Sequence, residues 1–234
     1  MAWLLHRRPY KESSVIADFL VENHGRVAMV VKGARKGRSL RSTLLQPFSQ
    51  VAINWRGKGE LKTLTTIESV QGYRLDGDGL LCGFYLNELL LRAVLQGQPD
   101  EGIAALYATV IEQLASGQLL EPALRFFELE LLDLLGYLPS LTHEADTGRP
   151  LSAKKNYCFQ AGVGLVPLDD SAGIPDSRYG YQVAALKALD ARDFTDSAFY
   201  PVFKRFTRQA LTMVIGDRPL KSRELFIRSN KGTT

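Results

Sequence analysis

"SVIADFLVENHGRVAMVVKG", Ser14 to Gly33, reads as two strands folded back on each other. Both flanks are rich in β-branched and aromatic residues with partial alternation, and Asn23-His24-Gly25 between them is a turn signal. Working outward, "AWLLHRR" precedes this hairpin, and "FSQVAINWR" and "ELKTLTTIES" follow it. Pro9, the stretch Gly33 through Gly37, and Arg56-Gly57-Lys58-Gly59 separate the runs. Five strands within the first 70 residues or so suit a small barrel such as the OB-fold, whose faces and loops often hold oligonucleotides.

Beyond residue 77 the period becomes helical. "LLCGFYLNELLLRAVLQ" is long and strongly apolar, which predicts a buried helix ended by Gly97, Gln98 and Pro99. Asp100 can cap a second helix over 101–115 that stops at Ser116-Gly117. Glu121-Pro122 opens a third, with the proline in the first turn where its missing N–H costs nothing. Leu124, Phe127, Leu131 and Leu135 line one face, and Gly136 is the stop. Residues 138–178 are irregular, with one hairpin expected from "KNYCFQ" and "GLVPL". Helices over about 181–191 and 196–215 follow, and "PLKSRELFI" makes a short last one. The class is α+β: an N-terminal OB-fold β-barrel over 1–76, then a mainly helical domain over 77–234. The latter holds a helical bundle and a small irregular C-terminal subdomain, with a β-containing insertion at about 138–178.

Net charge is +4, but its distribution is uneven. Residues 1–74 carry 13 Lys/Arg against 5 Asp/Glu, residues 75–200 carry 8 against 18, and residues 201–234 carry 8 against 2. A basic head and tail around an acidic middle point to an anionic partner, of which nucleic acid is the commonest. The two cysteines, Cys82 and Cys158, read as reduced and structural. The N-terminal apolar run is too short for a signal-peptide core, and no stretch has the roughly 18–20 apolar residues of a membrane span. An intracellular, cytoplasmic protein with no membrane partner is expected.

No catalytic constellation is visible. His6, His24 and His143 have no ligand-type residue at metal-binding helical spacing, and no HExxH, CxxC or G-x-S-x-G pattern occurs. His143-Glu144-Ala145-Asp146 reads as a polar loop, "WRGKGELKT" as a hairpin turn and not a phosphate loop, and Asp169-Asp170 as a solvated pair.

The basic residues carry more. Lys32, Arg35, Lys36, Arg38 and Arg41 fall within ten positions, and Arg7, Arg8, Lys11, Arg56, Lys58 and Lys62 share their small domain. Any one of them alone is ordinary solvated surface; together they attract phosphates and release condensed counterions. Trp3, Tyr10 and Trp55 are candidates for stacking on unpaired bases or for the core. In the tail, Lys204, Arg205 and Arg208 form one helix stripe opposite Phe203, Phe206, Ala210 and Leu211, with Arg218, Lys221 and Arg223 beyond. Two readings stay open there: a second nucleic-acid surface, or packing against the acidic middle.

The segments "RRPYKESSVIADFLVENHGRVAMVVKGARKGRS", "LLQPF", "GFYLNELLLR", "EPALRFFELELLDLLGYLPSLTHE" and "KRFTRQAL…RPLKSRELF" together resemble the bacterial recombination mediator family RecO. The resemblance runs over nearly the whole chain and is weakest in the middle of its C-terminal half. It implies an N-terminal OB-fold, a helical bundle and a C-terminal region that in many relatives holds a four-cysteine zinc site. Here Glu144 stands after "TH" in place of a cysteine and only Cys158 lies nearby, so the expectation is no cofactor and a lost zinc site.

The resemblance implies binding of single- and double-stranded DNA, annealing of complementary strands, binding of the acidic C-terminal tail of single-stranded DNA-binding protein, and work with RecR to load RecA. With no catalytic constellation in view, no enzyme is expected, and the setting is cytoplasmic and nucleoid-associated. The "KGAR" match places Lys32, Arg35 and Lys36 in the DNA-binding barrel. The full candidate DNA set is Arg7, Arg8, Lys32, Arg35, Lys36, Arg38, Arg41, Lys58, Lys204, Arg205, Arg208, Lys221 and Arg223. The "EPALR" match places Arg125 at a position that contacts the partner tail, with Leu124 and Leu129 beside it; the alternative is a surface pair with Glu121 or Glu128. Two other functions stay open: an adaptor for acidic tails with DNA contact secondary, and an RNA-binding OB protein.

Overall fold

The computed structural model describes residues 1–35, 40–99, 101–168 and 180–225. Lys36, Arg38, Asp100 and Asp169-Asp170 lie outside these. The five expected strands form: β1 (Ala2–Tyr10), β2 (Ser14–Val21), β3 (Gly25–Val31), β4 (Ser49–Arg56) and β5 (Lys62–Gly72). They close into a barrel in the order β1-β2-β3-β5-β4, with β3 and β5 parallel and the other pairs antiparallel. This is the OB arrangement, and a short helix, α1 (Leu40–Leu44), stands between β3 and β4. The period-2 pattern delivers the core: Val15, Ala17, Phe19 and Val21 of β2 meet Val27, Met29 and Val31 of β3, with Ala2, Leu4, Val51 and Leu64.

β1 changes character along its length. Its register shifts between Leu4 and His6; Ala2 to Leu5 are buried, and His6 to Pro9 are exposed. The sheet ladder continues past the bulge to Tyr10 opposite Ser14, so exposed side chains are held on ordered backbone. The next contact is just as strict. Gly25 takes φ +65°, and a Cβ there would stand 2.0 Å from the Gln98 carbonyl oxygen. Only glycine lets the β2–β3 turn meet the segment after the first long helix so closely.

The chain divides into two compact units, one of Met1–Ala123 with Arg218–Thr234, the other of Leu124–Asp217. In the first, α2 (Gly77–Ala93) and α3 (Ile103–Ala115) accompany the barrel. Asn87 donates to the Leu5 carbonyl at 3.1 Å and accepts from the Tyr107 hydroxyl at 2.6 Å, a buried link between barrel, α2 and α3. Burial pushes the Tyr107 phenol far above its ordinary value. α2 stops earlier than its apolar pattern suggests. Val94 is extended, and the strand-like segment runs along Arg26, whose carbonyl accepts from Gly97 N–H at 3.1 Å.

The returning tail docks on α2. Glu88 accepts from the backbone N–H groups of Lys221 and Ser222 at 2.8 and 2.7 Å, and Arg92 donates to the Arg218 carbonyl at 2.6 Å. Burial raises the Glu88 carboxyl, but these amides, the Ser222 side chain and Arg92 outweigh it and hold the group below its ordinary value. A depressed carboxylate stabilises the fold above its unfolded pKa, and that contribution disappears as pH falls through the folded value. Glu88→Gln is therefore expected to cost on the order of 1 kcal/mol at neutral pH, after solvent screening. Denaturation midpoints should show the gap from the native protein closing below about pH 4; a gap independent of pH would sink the assignment.

In the second unit, α4 (which spans Leu120–Leu134 and so begins in the first unit) buries Leu124, Phe127 and Leu131 as its spacing predicts, with Gly136 at φ +74° after its end. It also buries Arg125, Glu128, Leu129 and Leu132. The expected hairpin forms as β6 (Asn156–Gln160) and β7 (Gly164–Pro167), and β8 (Tyr181–Gln182) adds a third strand beside β6. α5 (Val183–Asp190) and α6 (Tyr200–Ile215) follow. Phe206 of α6 meets Phe159 and Tyr181 edge-on, each at 5.5 Å. Among the described residues no helix is long and apolar enough to cross a membrane.

Candidate nucleic-acid interface

The exposed half of β1 and the residues after β3 meet at one end of the barrel. Arg35 N–H bonds to the Ser13 carbonyl at 3.1 Å, and its guanidinium donates to the Lys11 carbonyl at 2.7 Å. These two bonds clip the turn after β3 onto the β1–β2 turn, where Lys11 itself sits at φ +51°. Between them lies an open cleft of about 240 Å³ lined by Arg7, Arg8, Pro9, Val15, Ala34, Arg35 and Ser42.

Arginines at three positions thus line one hollow, and no acid lines it among the described residues. Arg7, Arg8, Lys32 and Lys58 are exposed and take part in no ion pair among the described residues. Arg35 spends one of its five donors on the Lys11 carbonyl. The cleft can hold phosphate or carboxylate oxygens through charge-assisted hydrogen bonds.

Arg41 has a different place. It is half-buried and donates to the Lys32 carbonyl and to the Thr65 carbonyl, each at 3.2 Å. It therefore ties the turn after β3 to β5. Lys58 stands in the β4–β5 turn, and Lys62 nearby donates to the Lys58 carbonyl at 3.3 Å.

The aromatic candidates separate. Trp3 is a core residue: 1% exposed, stacked on Tyr73 at 6.0 Å and edge-on to Tyr107 at 5.4 Å. It cannot stack on a base, because the buried half of β1 carries it. Trp55 is half-buried against the barrel core with His24 edge-on at 5.2 Å. Tyr10, at the outer end of β1, stays half-exposed with the Lys11 ammonium 5.4 Å from its ring. The outer face of β2–β3 is not open either, since Ile16, Leu20 and Ala28 are buried and residues 94–99 run beside Arg26.

The basic tail is divided between the two units. Lys204, Arg205 and Arg208 belong to the second unit, and Lys221 and Arg223 to the first. Arg205 lies 4.6 Å over the Tyr181 ring and donates to the Gly180 carbonyl. Lys221 and Arg208 are exposed, whereas Lys204 and Arg223 are half-buried. Docking of the tail on Glu88 shows contact with the acidic middle, made through backbone N–H groups and not the basic side chains.

Arg125 is 2% exposed. Its guanidinium pairs with Glu128 at 3.0 Å and donates to the Thr207 hydroxyl at 3.2 Å, while Thr207 in turn donates to Glu128. Leu124 and Leu129, at 7% and 0%, are equally enclosed. The pairing with Glu128 is one of the two partners the alternative reading offered, but it sits inside the second unit and not on its surface.

The described residues of the region in which the family resemblance implies zinc do not form a zinc ligand set. Cys158 is its only cysteine, and Glu144 already accepts from the hydroxyls of Thr147 (2.7 Å) and Tyr157 (3.0 Å) and the Lys155 ammonium (3.3 Å). The Thr147 bond above all holds the Glu144 carboxyl below its ordinary value. Among the described residues no group of three His, Cys, Asp or Glu could hold a metal ion.

Comparison with known proteins agrees over residues 1–224. Residues 1–73 match the family model for the recombination protein O N terminal, and residues 74–224 that for the recombination protein O C terminal. The chain is 40% identical over 225 residues to the DNA repair protein RecO of Actinobacillus succinogenes, covering 96% of this chain and 93% of that protein. It is 39% identical to the DNA repair protein RecO of Haemophilus influenzae, with the same coverage. The DNA repair protein RecO of Methylococcus capsulatus is 39% identical over 226 residues, covering 96% of this chain and 91% of that protein.

Proposed function

The chain belongs to the RecO family of DNA repair and recombination proteins, and from that premise we propose that it is a non-enzymatic factor that binds DNA and anneals complementary strands. The observation that carries the reading is the cleft of Arg7, Arg8 and Arg35 at the open end of the barrel. Guanidinium groups on ordered strand and turn backbone neutralise backbone phosphates and read no base edges, so binding tolerates any sequence. Tyr10, half-exposed at the outer end of β1, adds one ring on which an unpaired base can stack. Strands held on a cationic surface repel each other less, which favours their pairing.

The proposal extends, on family membership, to single- and double-stranded DNA, the acidic tail of single-stranded DNA-binding protein, RecR and, indirectly, RecA as partners. Within that extension Arg125 acts through the shape of α4, since its guanidinium is buried and paired with Glu128. No cofactor is needed, and a cytoplasmic, nucleoid-associated setting follows from the same partners.

Binding of a short labelled single strand across a salt series tests the core of this reading. A log–log slope near −0.7 per neutralised phosphate is expected, with binding that does not depend on sequence. Annealing of two complementary strands should accelerate in the same salt range. A flat salt response, or a strong preference for RNA over DNA of equal length, would overturn it.

A further inference from the structure

A second basic hollow lies in the unit of Leu124–Asp217, and none of its lysines belongs to the set described above. It measures about 500 Å³ and is lined by Ala153, Lys154, Lys155, Asn156, Gln182, Val183, Ala184 and Lys187. The walls are fixed by regular structure. Asn156 and Gln182 are cross-strand partners in β6 and β8, so the turn before β6 and the first turn of α5 stand side by side. Lys155 N–H closes that turn on the Ser152 carbonyl at 3.0 Å. Lys154 and Lys187 are exposed and take part in no ion pair among the described residues; Lys155 pairs with Glu144 at 3.3 Å. This is unusual for its surroundings. Residues 124–217 carry 12 Asp/Glu against 10 Lys/Arg, yet no acid lines the hollow among the described residues.

We propose that this hollow binds the phosphodiester backbone of a second nucleic-acid strand while the cleft of Arg7, Arg8 and Arg35 holds the first. The inference rests on the proposed DNA-binding function and adds to it a place for the strand to be annealed. The lining decides between anions. Three lysines, of which Lys154 and Lys187 are in no ion pair among the described residues, together with Asn156 and Gln182 suit a chain of phosphates, each a diffuse acceptor met by point charges. An acidic peptide ending in an aromatic residue wants a guanidinium beside an apolar floor, and this hollow offers neither arginine nor aromatic ring. Two separate cationic sites on one chain also give a direct reason why it brings strands together and does not merely coat one.

The test uses the full chain and Lys154→Glu/Lys187→Glu, with Lys155 left in place because it also serves Glu144. A donor-labelled strand is bound first, and a non-complementary acceptor-labelled strand is added, so that energy transfer reports joint occupancy without duplex formation. The variant is expected to bind the first strand within about two-fold of the native protein and to capture the second about ten-fold or more weakly at ~50 mM salt. The milder Lys154→Gln/Lys187→Gln should fall between, and equal thermal midpoints establish that all three proteins are folded. Undiminished second-strand capture by the variant would overturn the inference and leave the DNA-binding reading standing. So would a variant that keeps both strands but loses a glutamate-rich peptide, which would make the hollow a peptide site. A native protein that holds no strand at all would instead remove the DNA-binding reading, and this inference with it.

Discussion

Arg7→Glu/Arg8→Glu is expected to weaken binding of a short single strand by about 100-fold at ~50 mM salt and to flatten the log–log salt slope by about 1.4, two contacts at 0.7 each. The size follows from removing two cations and installing two anions at a cleft whose other lining arginine, among the described residues, is Arg35. The variant should keep its fold. Both side chains are exposed, and their backbones pair with Ala17 and Ile16 of β2 whatever side chain they carry. Fluorescence anisotropy across a salt series reads both numbers, and equal denaturation midpoints complete the comparison. A slope that does not change would mean the DNA path avoids this end of the barrel. Arg35→Glu is a poorer probe, because it also unclips the turn from the Lys11 carbonyl.

Arg125→Ala is expected to cost about 3–5 kcal/mol of stability, the usual result of leaving one partner of a buried ion pair unpaired. Glu128 is fully enclosed, and without Arg125 only the Thr207 hydroxyl remains of its named partners in that network. Arg125→Leu/Glu128→Leu/Thr207→Val removes these three polar side chains together and should recover most of the loss, since an apolar replacement of similar volume is often neutral or better. Chemical denaturation measures both. A loss below about 1 kcal/mol for the single variant would show that the pair is solvated after all. The triple variant also isolates the role in partner binding. If it is folded and still takes an acidic tail peptide with native affinity, the guanidinium makes no direct contact with that tail.

Much of the barrel was legible because its signal is local. The alternation of Val15, Ala17, Phe19 and Val21 against Val27, Met29 and Val31 needs only the period of a strand and the turn at Asn23 to Gly25. Other features depend on partners far along the chain. Nothing near Trp3 announces Tyr73 and Tyr107 as its neighbours, so its ring looked as available as that of Tyr10. The spacing of Arg125 and Glu128 suits a surface helix pair; Thr207, 82 residues away, encloses them. β8 has two residues and no pattern to read, yet it brings Gln182 beside Asn156 and so creates the hollow of Lys154 and Lys187. The end of α2 was misplaced for the opposite reason. Val94 and Leu95 continue an apolar run, but the backbone turns extended to lie beside Arg26.

Arg41 donates to carbonyls on both sides of the seam between β3 and β5, a seam of only two residue pairs, Met29 with Lys62 and Val30 with Thr63. Selection acting on such a chain meets two kinds of positive charge. Changes at Arg7, Arg8, Lys32 and Lys58 tune attraction to a polyanion and leave the barrel untouched. A change at Arg41 alters attraction and closure together. Charges of the first kind are free to drift with the partner, and this one is tied to the pace at which the fold itself can change.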